Sequence, residues 1–278
     1  MTTQPLISII TVNLNNLEGL RTTVNSVLAQ KYKNFEYLVI DGASNDGSRE
    51  FLEKHNEQID YWISEEDLGI YNAMNKGVKK ANGVYLLFLN SGDHFFDNES
   101  LKKNYGYLKV QDIIYFNLVM VKQGVSEIAI YPKNLRFSHF VEDTLPHPAT
   151  FIKKTLFDKL GFYDESLKIV SDWKFFINSI CKYNSSYLKI DETLSVYYLD
   201  GISSSVKNEK LIKEERQKVL SDDFSPFMED YRELMKARAS LNSSRYKMCT
   251  ELQKNFLARK INNFMLRILI GKKSGDSK

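Results

Sequence analysis

Cysteine is scarce in this chain: Cys181 and Cys249 are its two in 278 residues, far apart and at no metal or redox spacing. That excludes a disulfide-stapled scaffold, a cysteine zinc site and a dithiol redox motif, and both read as packing or surface thiols of a reducing compartment. No apolar run approaches the roughly 18 residues that a membrane-spanning helix needs. The N-terminus lacks the basic flank and cleavage site of a signal peptide, so the expected location is the cytoplasm. The opening stretch contains neither G-x-G-x-x-G nor G-x-x-x-x-G-K-[ST], which excludes a dinucleotide fingerprint and a P-loop. Net positive charge is missing from the body. Residues 251–278 hold seven basic and two acidic side chains, a charge of +5, so the formal +3 of the whole chain leaves −2 for everything before them. A nucleic-acid binder would carry a basic stripe on its folded body; here a mildly acidic body precedes a basic tail.

What is present is a core. Hydrophobic residues make up 43% of the chain, enough for one large domain or one domain with an appendage. Leu6 to Val12 is β-branched and apolar, as a central parallel strand should be, and breaks at Asn13-Leu14-Asn15-Asn16. From about Glu18 to Ala29, Leu20, Val24, Val27 and Leu28 fall at helical spacing. Phe35 to Ile40 gives a second strand, ending at Asp41-Gly42-Ala43-Ser44-Asn45-Asp46-Gly47, a loop whose residues tolerate unusual backbone angles and let a ligand approach closely. A helix near Ser48 to Lys54 follows, then a short strand at Tyr61 to Ile63. This alternation predicts an α/β fold with a parallel sheet and a nucleotide-sized crevice at the carboxyl ends of its strands.

Tyr85 to Leu89 is the next buried strand, and it stops at Asn90-Ser91-Gly92-Asp93. Asp93 then sits where a carboxylate can hold a hard cation against a phosphate, or where it simply shapes a turn. Thr11 to Asn16, Asp41 to Gly47, the Glu65 to Gly77 block containing Gly69-Ile70-Tyr71-Asn72-Ala73-Met74-Asn75-Lys76-Gly77, and Asn90 to Asp93, in that order, resemble the nucleotide-binding half of a family 2 glycosyltransferase. The subgroup it looks most like carries a GIYDAMNKG block and belongs to bacterial surface-polysaccharide synthesis. The likeness covers roughly the first 200 residues.

That resemblance implies a GT-A (Rossmann-like) fold, a mostly parallel central sheet flanked by helices, with a C-terminal helical extension. It implies a nucleotide-sugar site lined by Thr11, Asn13, Asp41, Asn72, Lys76, Ser91, Gly92 and Asp93, with Thr11 and Asp41 at the base and ribose. Asp93 corresponds to the Asp that binds Mn²⁺ or Mg²⁺ in the family's D-x-D motif. Within this half three positions depart from the family pattern: Ser91 replaces the first Asp of D-x-D, Asn72 replaces the Asp of the block, and Asn13 stands where many relatives carry an aromatic residue. Further on, Ser171 precedes Asp172 where family members often carry Glu, and Asp200 to Ser205 lacks the metal-binding His of some relatives.

The second half is less patterned. Asp112 to Val119 and Glu127 to Tyr131 read as strands around Lys122-Gln123-Gly124. His147 lies between Pro146 and Pro148 in a rigid loop; it is either a structural histidine or, by resemblance to the family's His-x-Ala-Thr, a donor- or acceptor-site group. Leu156 to Leu160 reads as a short helix closed by Gly161. Asp172 opens an amphipathic helix and reads as an N-cap or, by resemblance, as the catalytic base. Tyr187 to Ile190 and Leu194 to Tyr198 read as the last strands. Ser203, in Asp200 to Ser205, is a second loop candidate by likeness to the segment that closes over the donor.

Near Asn208 the composition shifts towards Glu, Lys, Arg and Leu, so the expected units are residues 1–206, the transferase domain, and residues 207–278, a helical extension. In the last helix Leu257, Ile261, Phe264, Met265, Ile268 and Leu269 share one face, flanked by Arg259, Lys260, Arg267 and Lys272. Such a helix lies on an anionic membrane, which would place the protein on the inner face of the cell membrane through residues 254–273, or it docks on protein.

The expectation is therefore an inverting, metal-dependent transfer of a sugar from a nucleotide-diphosphate donor, a UDP-sugar by resemblance, to a hydroxyl of a glycan or lipid-linked acceptor. Two rivals stay open. A sugar-nucleotide pyrophosphorylase would carry a Gly- and Arg-rich loop after the first strand, which Thr11 to Asn16 is not. A non-catalytic scaffold agrees with Ser91 but not with Asp41, Asp93 and Asp172 together.

Overall fold

The computed structural model describes residues 4–199, 201 and 206–271. The β-branched run near the N-terminus forms strand β1 (Ile7–Asn13), buried along its whole length. Helix α1 (Leu17–Leu28) follows, and the Asn16 side chain caps it by accepting from the Gly19 N–H at 3.1 Å. Leu20, Val24 and Val27 face the sheet and are fully buried, each contributing about 1.5–3 kcal/mol to folding. Strand β2 (Phe35–Asp41), helix α2 (Ser48–Lys54), strand β3 (Tyr61–Ser64), helix α3 (Ile70–Lys80) and strand β4 (Tyr85–Phe88) continue the alternation. The order β3-β2-β1-β4 is parallel throughout, so the carboxyl ends of all four strands share one edge. Helix α3 lies so close to β1 that a Cβ at Gly77 would sit 2.6 Å from Ile10 Cγ2, and glycine is what permits the approach.

Beyond β4 the chain adds strand β5 (His94–Phe95), helix α4 (Ser100–Asn104), strands β6 (Ile113–Lys122) and β7 (Val125–Ala129), and helix α5 (Phe137–Glu142). Strand β8 (Thr150–Lys153), helices α6 (Lys154–Leu160) and α7 (Ser171–Ile177), and strand β9 (Tyr187–Tyr198) complete the sheet, which continues from β4 through β8, β6 and β9 to β5, with β7 beside β6. Here the pairing is mixed. β8 is antiparallel to β4 and β6, β5 is antiparallel to β9, and β6 is parallel to β9. The parallel arrangement expected from β-α alternation thus describes the first four strands, and it ends where the helical crossovers end. Strands β6 and β7 form a hairpin across Gln123 and Gly124, whose positive φ values of 50° and 80° match the twist of a tight two-residue turn. The two last strands read from the sequence are one strand, β9, which crosses the polar Asp191-Glu192 stretch with register shifts against β6 between Tyr115 and Leu118.

Helix α8 (Glu209–Asp223) follows. The chain divides into two compact units, one through Val219 and one from Leu220. The second contains helices α9 (Ser225–Asn242), α10 (Ser244–Lys254) and α11 (Phe256–Gly271). Ser243 caps α10 through Tyr246 N–H, and Asn255 Oδ1 accepts from the N–H groups of Leu257 and Ala258 at the start of α11. Phe256, Leu257, Ile261, Phe264, Met265, Ile268 and Leu269 of α11 are all exposed. Among the described residues no helix is long and apolar enough to cross a membrane.

Candidate active site

The carboxyl edge of β3-β2-β1-β4 collects most of the polar residues singled out above. At the end of β2, Asp41 is 0% exposed and saturated with donors. Its Oδ1 accepts from Asn13 Nδ2 at 2.7 Å and Ser44 Oγ at 2.6 Å, and its Oδ2 from Ser64 Oγ at 2.6 Å and the Ser44 N–H at 3.0 Å. A buried carboxylate held by this many donors is a brace between the ends of β1, β2 and β3. Thr11, equally buried, pairs its hydroxyl with the Tyr37 hydroxyl at 3.0 Å. Contact of a nucleotide with either side chain would require these partners to be exchanged. Asn13 differs: while its amide nitrogen is engaged, its Oδ1 is buried without a hydrogen-bond partner.

At the end of β4 the backbone turns at Gly92, whose φ of 109° suits glycine. Helix α1 pins this turn. Thr23 Oγ1 accepts from the Gly92 N–H at 3.0 Å and lies 2.7 Å from the Asp93 carbonyl, while Asn16 Nδ2 donates to the Ser91 carbonyl at 3.1 Å. Asp93 is thereby fixed at the strand end, 7% exposed. In the same turn Asn90 Oδ1 is buried without a hydrogen-bond partner. One carboxylate and one orphaned amide oxygen are both hard donors, the kind that hold Mg²⁺ or Mn²⁺ when phosphate oxygens complete the shell. Among the described residues no group of three or more His, Cys, Asp or Glu gathers to hold a metal by itself.

The Glu65 to Gly77 block frames the other side. Lys76 pairs with Asp67 at 2.6 Å and Glu65 at 2.7 Å; partial burial acts to lower its pKa, but the two carboxylates outweigh that and raise it, so it stays charged. Asn72 Nδ2 donates to Glu165 at 2.9 Å, and Asn75 Nδ2 donates to the other oxygen of the same carboxylate at 2.8 Å. These two amides hold the Glu165 pKa below the ordinary range.

Asp172, in the first turn of α7, is half-buried. Tyr71, from the first turn of α3, donates to its Oδ1 at 2.7 Å and also reaches the Ile169 carbonyl at 2.5 Å. Burial, and then the nearby Asp172 charge, push the Tyr71 and Tyr163 hydroxyls well above their ordinary range, so both remain protonated. His147 is buried behind them. Its ring stacks on Phe88 with centroids 4.8 Å apart, and its Nε2 meets the Tyr163 hydroxyl at 2.9 Å. Burial lowers its pKa despite the pull of Asp172, leaving a neutral ring. Through Tyr71, and through Phe88, His147 and Tyr163, the surroundings of Asp172 are tied to the carboxyl ends of the parallel strands. Ser203 lies outside the described residues.

Sequence reasoning missed Tyr71, Tyr163 and Glu165. Tyr71 had a signal, its place inside the Glu65 to Gly77 block; Tyr163 and Glu165 had none, because the Asn72 and Asn75 amides that tie them to that block lie 88 to 93 residues away.

The family described as Glycosyl transferase family 2 matches residues 8–169. The chain belongs to glycosyl transferase family 2. An uncharacterized glycosyltransferase of Mycobacterium tuberculosis is 34% identical over 185 residues, covering 64% of this chain and 70% of the relative. A PGL/p-HBAD biosynthesis glycosyltransferase of Mycobacterium bovis is 25% identical over 220 residues, covering 75% and 83%. Among solved structures, residues 1–349 of TarS from S. aureus in complex with UDP superpose with a TM-score of 0.58 at 19% identity, covering 69% of this chain and 60% of that one. The mannosyltransferase PcManGT from Pyrobaculum calidifontis, in complex with GDP-Man and Mn²⁺, gives 0.54 at 14% identity over 95% and 88%. These structural likenesses establish a GT-A-like fold for this family 2 member, and the chain spans about 60% of the TarS structure.

Proposed function

We propose that this family 2 glycosyl transferase moves a sugar from a nucleotide-diphosphate donor, a UDP-sugar in the first instance, to an acceptor hydroxyl of a glycan or lipid-linked saccharide in surface-polysaccharide synthesis, with inversion at the anomeric carbon. The observation that carries the reading is the hydrogen bond from Tyr71 to Asp172, because it ties the motif block after β3 to a half-buried carboxylate at the same edge of the sheet. The family's GIYDAMNKG-type block, here with Asn72, supports the subgroup. The nucleotide would lie over the Asn13–Asp41 brace, with the unpartnered Asn13 Oδ1 as an acceptor for a base N–H and Lys76 beside it. Gly92 lets the backbone of the Ser91 turn approach the pyrophosphate closely.

Asp93 and Asn90 would hold the divalent cation, Mn²⁺ or Mg²⁺, which when bound neutralises charge on the departing diphosphate. The proton chemistry belongs to Asp172. With Oδ1 held by Tyr71, its other oxygen faces the task of taking the proton from the acceptor hydroxyl as that oxygen attacks the anomeric carbon and the bond to the diphosphate breaks. Tyr71, neutral, orients the carboxylate without competing for that proton, and the neutral Tyr163 adds no charge beside it. His147, neutral and stacked on Phe88, backs this wall. Residues 254–273 would hold the enzyme at the inner membrane surface, a reading supported by the exposed apolar side chains of α11 and by Arg259, Lys260 and Arg267 among them.

The test is a donor screen. The protein is incubated with Mn²⁺ or Mg²⁺ and UDP-, GDP- or dTDP-sugars, and nucleotide diphosphate release is followed with and without acceptor. Asp172→Asn is expected to lower turnover at least 10³-fold while leaving donor affinity within about threefold. Unchanged turnover in that variant removes Asp172 from the role.

A further inference from the structure

Helix α8 lies beyond the segment that matches the family, yet it reaches the Asp172 turn. Glu215 is buried, and its two oxygens accept from the backbone N–H groups of Lys168 at 2.7 Å and Ile169 at 3.1 Å. Those peptides lead into α7, and the Ile169 carbonyl shares the Tyr71 hydroxyl with Asp172. One residue on, the Arg216 guanidinium lies over the Trp173 ring, 5.0 Å from its centroid. Trp173 is itself locked by its Nε1–H to the Phe140 carbonyl at 2.7 Å. Arg216 is within electrostatic reach of Asp172 and of Asp143, and its Nε is buried without a hydrogen-bond partner. Three further groups that feel the Asp172 charge, Tyr71, Tyr163 and His147, are neutral.

We infer that α8 is part of the catalytic apparatus: Glu215 fixes the backbone in front of Asp172, and Arg216, stacked on the Trp173 that follows Asp172, sets a positive charge beside the turn that carries this carboxylate. Both are positioning residues, and the inference rests on Asp172 being the base. A guanidinium suits the task because its planar face can rest on an indole while its permanent charge acts on a nearby carboxylate.

The experiment uses the full chain and two readouts. Arg216→Met keeps an apolar stem over Trp173 and removes the charge. Its loss in melting temperature is measured alone and in an Asp172→Asn background; the inference expects the loss to be smaller by at least about 2 °C in the second, since the partner charge is then gone. In parallel, release of nucleotide from UDP-GlcNAc and GDP-mannose with Mn²⁺ is followed. Arg216→Met should lower kcat about tenfold or more with KM for donor within about twofold, and Arg216→Lys should recover most of the loss. Glu215→Gln should speed hydrogen exchange at the amides of Lys168 and Ile169 at least tenfold. Equal melting losses in the two backgrounds overturn the Arg216–Asp172 pairing, and unchanged exchange overturns the Glu215 clamp. Should Asp172→Asn retain full turnover, the base assignment fails by itself, while the melting cycle still decides whether Arg216 and Asp172 are coupled.

Discussion

At the scale of single residues, two substitutions separate charge from shape. Asn72 lies in the first turn of α3, and its amide donates to Glu165 at 2.9 Å. An Asp there would set two carboxylates against each other, so Asn72→Asp is expected to cost about 1 kcal/mol, a modest figure because Glu165 is exposed, and adding Glu165→Gln should restore the loss. Thermal melts of the single and double variants check this. His147 concerns pH. In the unfolded chain a histidine takes up a proton near 6.5; in the fold, burial holds the pKa of His147 lower. The unfolded state therefore binds more protons below that pH, and stability falls as pH drops from about 6.5 towards the folded value. Denaturant midpoints measured from pH 7.5 to 5.5 should decline more steeply for the native chain than for His147→Gln.

At the scale of elements, the packing of α3 on β1 through Gly77 is the contact most open to challenge. Gly77→Ala would place a methyl group 2.6 Å from Ile10 Cγ2, and lifting the helix by the needed fraction of an ångström should cost about 1–3 kcal/mol. Because Tyr71 lies on the same helix, the variant is also expected to lose turnover, which a melt and a donor-hydrolysis rate measured together would reveal. Strands β1, β2 and β4 were legible in the sequence because a parallel strand buried on both faces must be a largely apolar, β-branched or aromatic run, and Asn13, Asp41 and Asn90 mark where each run stops. Strand β5 was not, because two residues carry no period. The polar residues at the strand ends were legible by type and order. Their division of labour was not: that Asn13 and Ser64 close over Asp41, or that Tyr71 reaches Asp172, depends on pairs 23 to 101 residues apart that local pattern cannot see. Arg216 was hidden for a related reason, since Lys, Glu and Arg in a helical stretch ordinarily mark a solvated face.

At the scale of the whole molecule, the two units divide the chemistry from the anchoring in our reading. The unit through Val219 carries the candidate site, and the unit from Leu220 carries the apolar and basic side chains of α11. Replacing Arg259, Lys260 and Arg267 with Glu should abolish co-sedimentation with phosphatidylglycerol vesicles while leaving donor hydrolysis in solution unchanged. Raising salt should weaken the native interaction, since each basic residue near an anionic surface contributes about 1 kcal/mol that is screened within a Debye length. Binding that persists in the triple Glu variant would assign the contact to apolar insertion alone. The exposed side chains of α11 also bear on how the purified protein behaves at the bench. With Phe256, Leu257 and Phe264 turned to water, concentrating it in plain buffer should drive reversible clumping that a mild detergent dissolves, so activity per milligram should fall on concentration and recover on adding micelles.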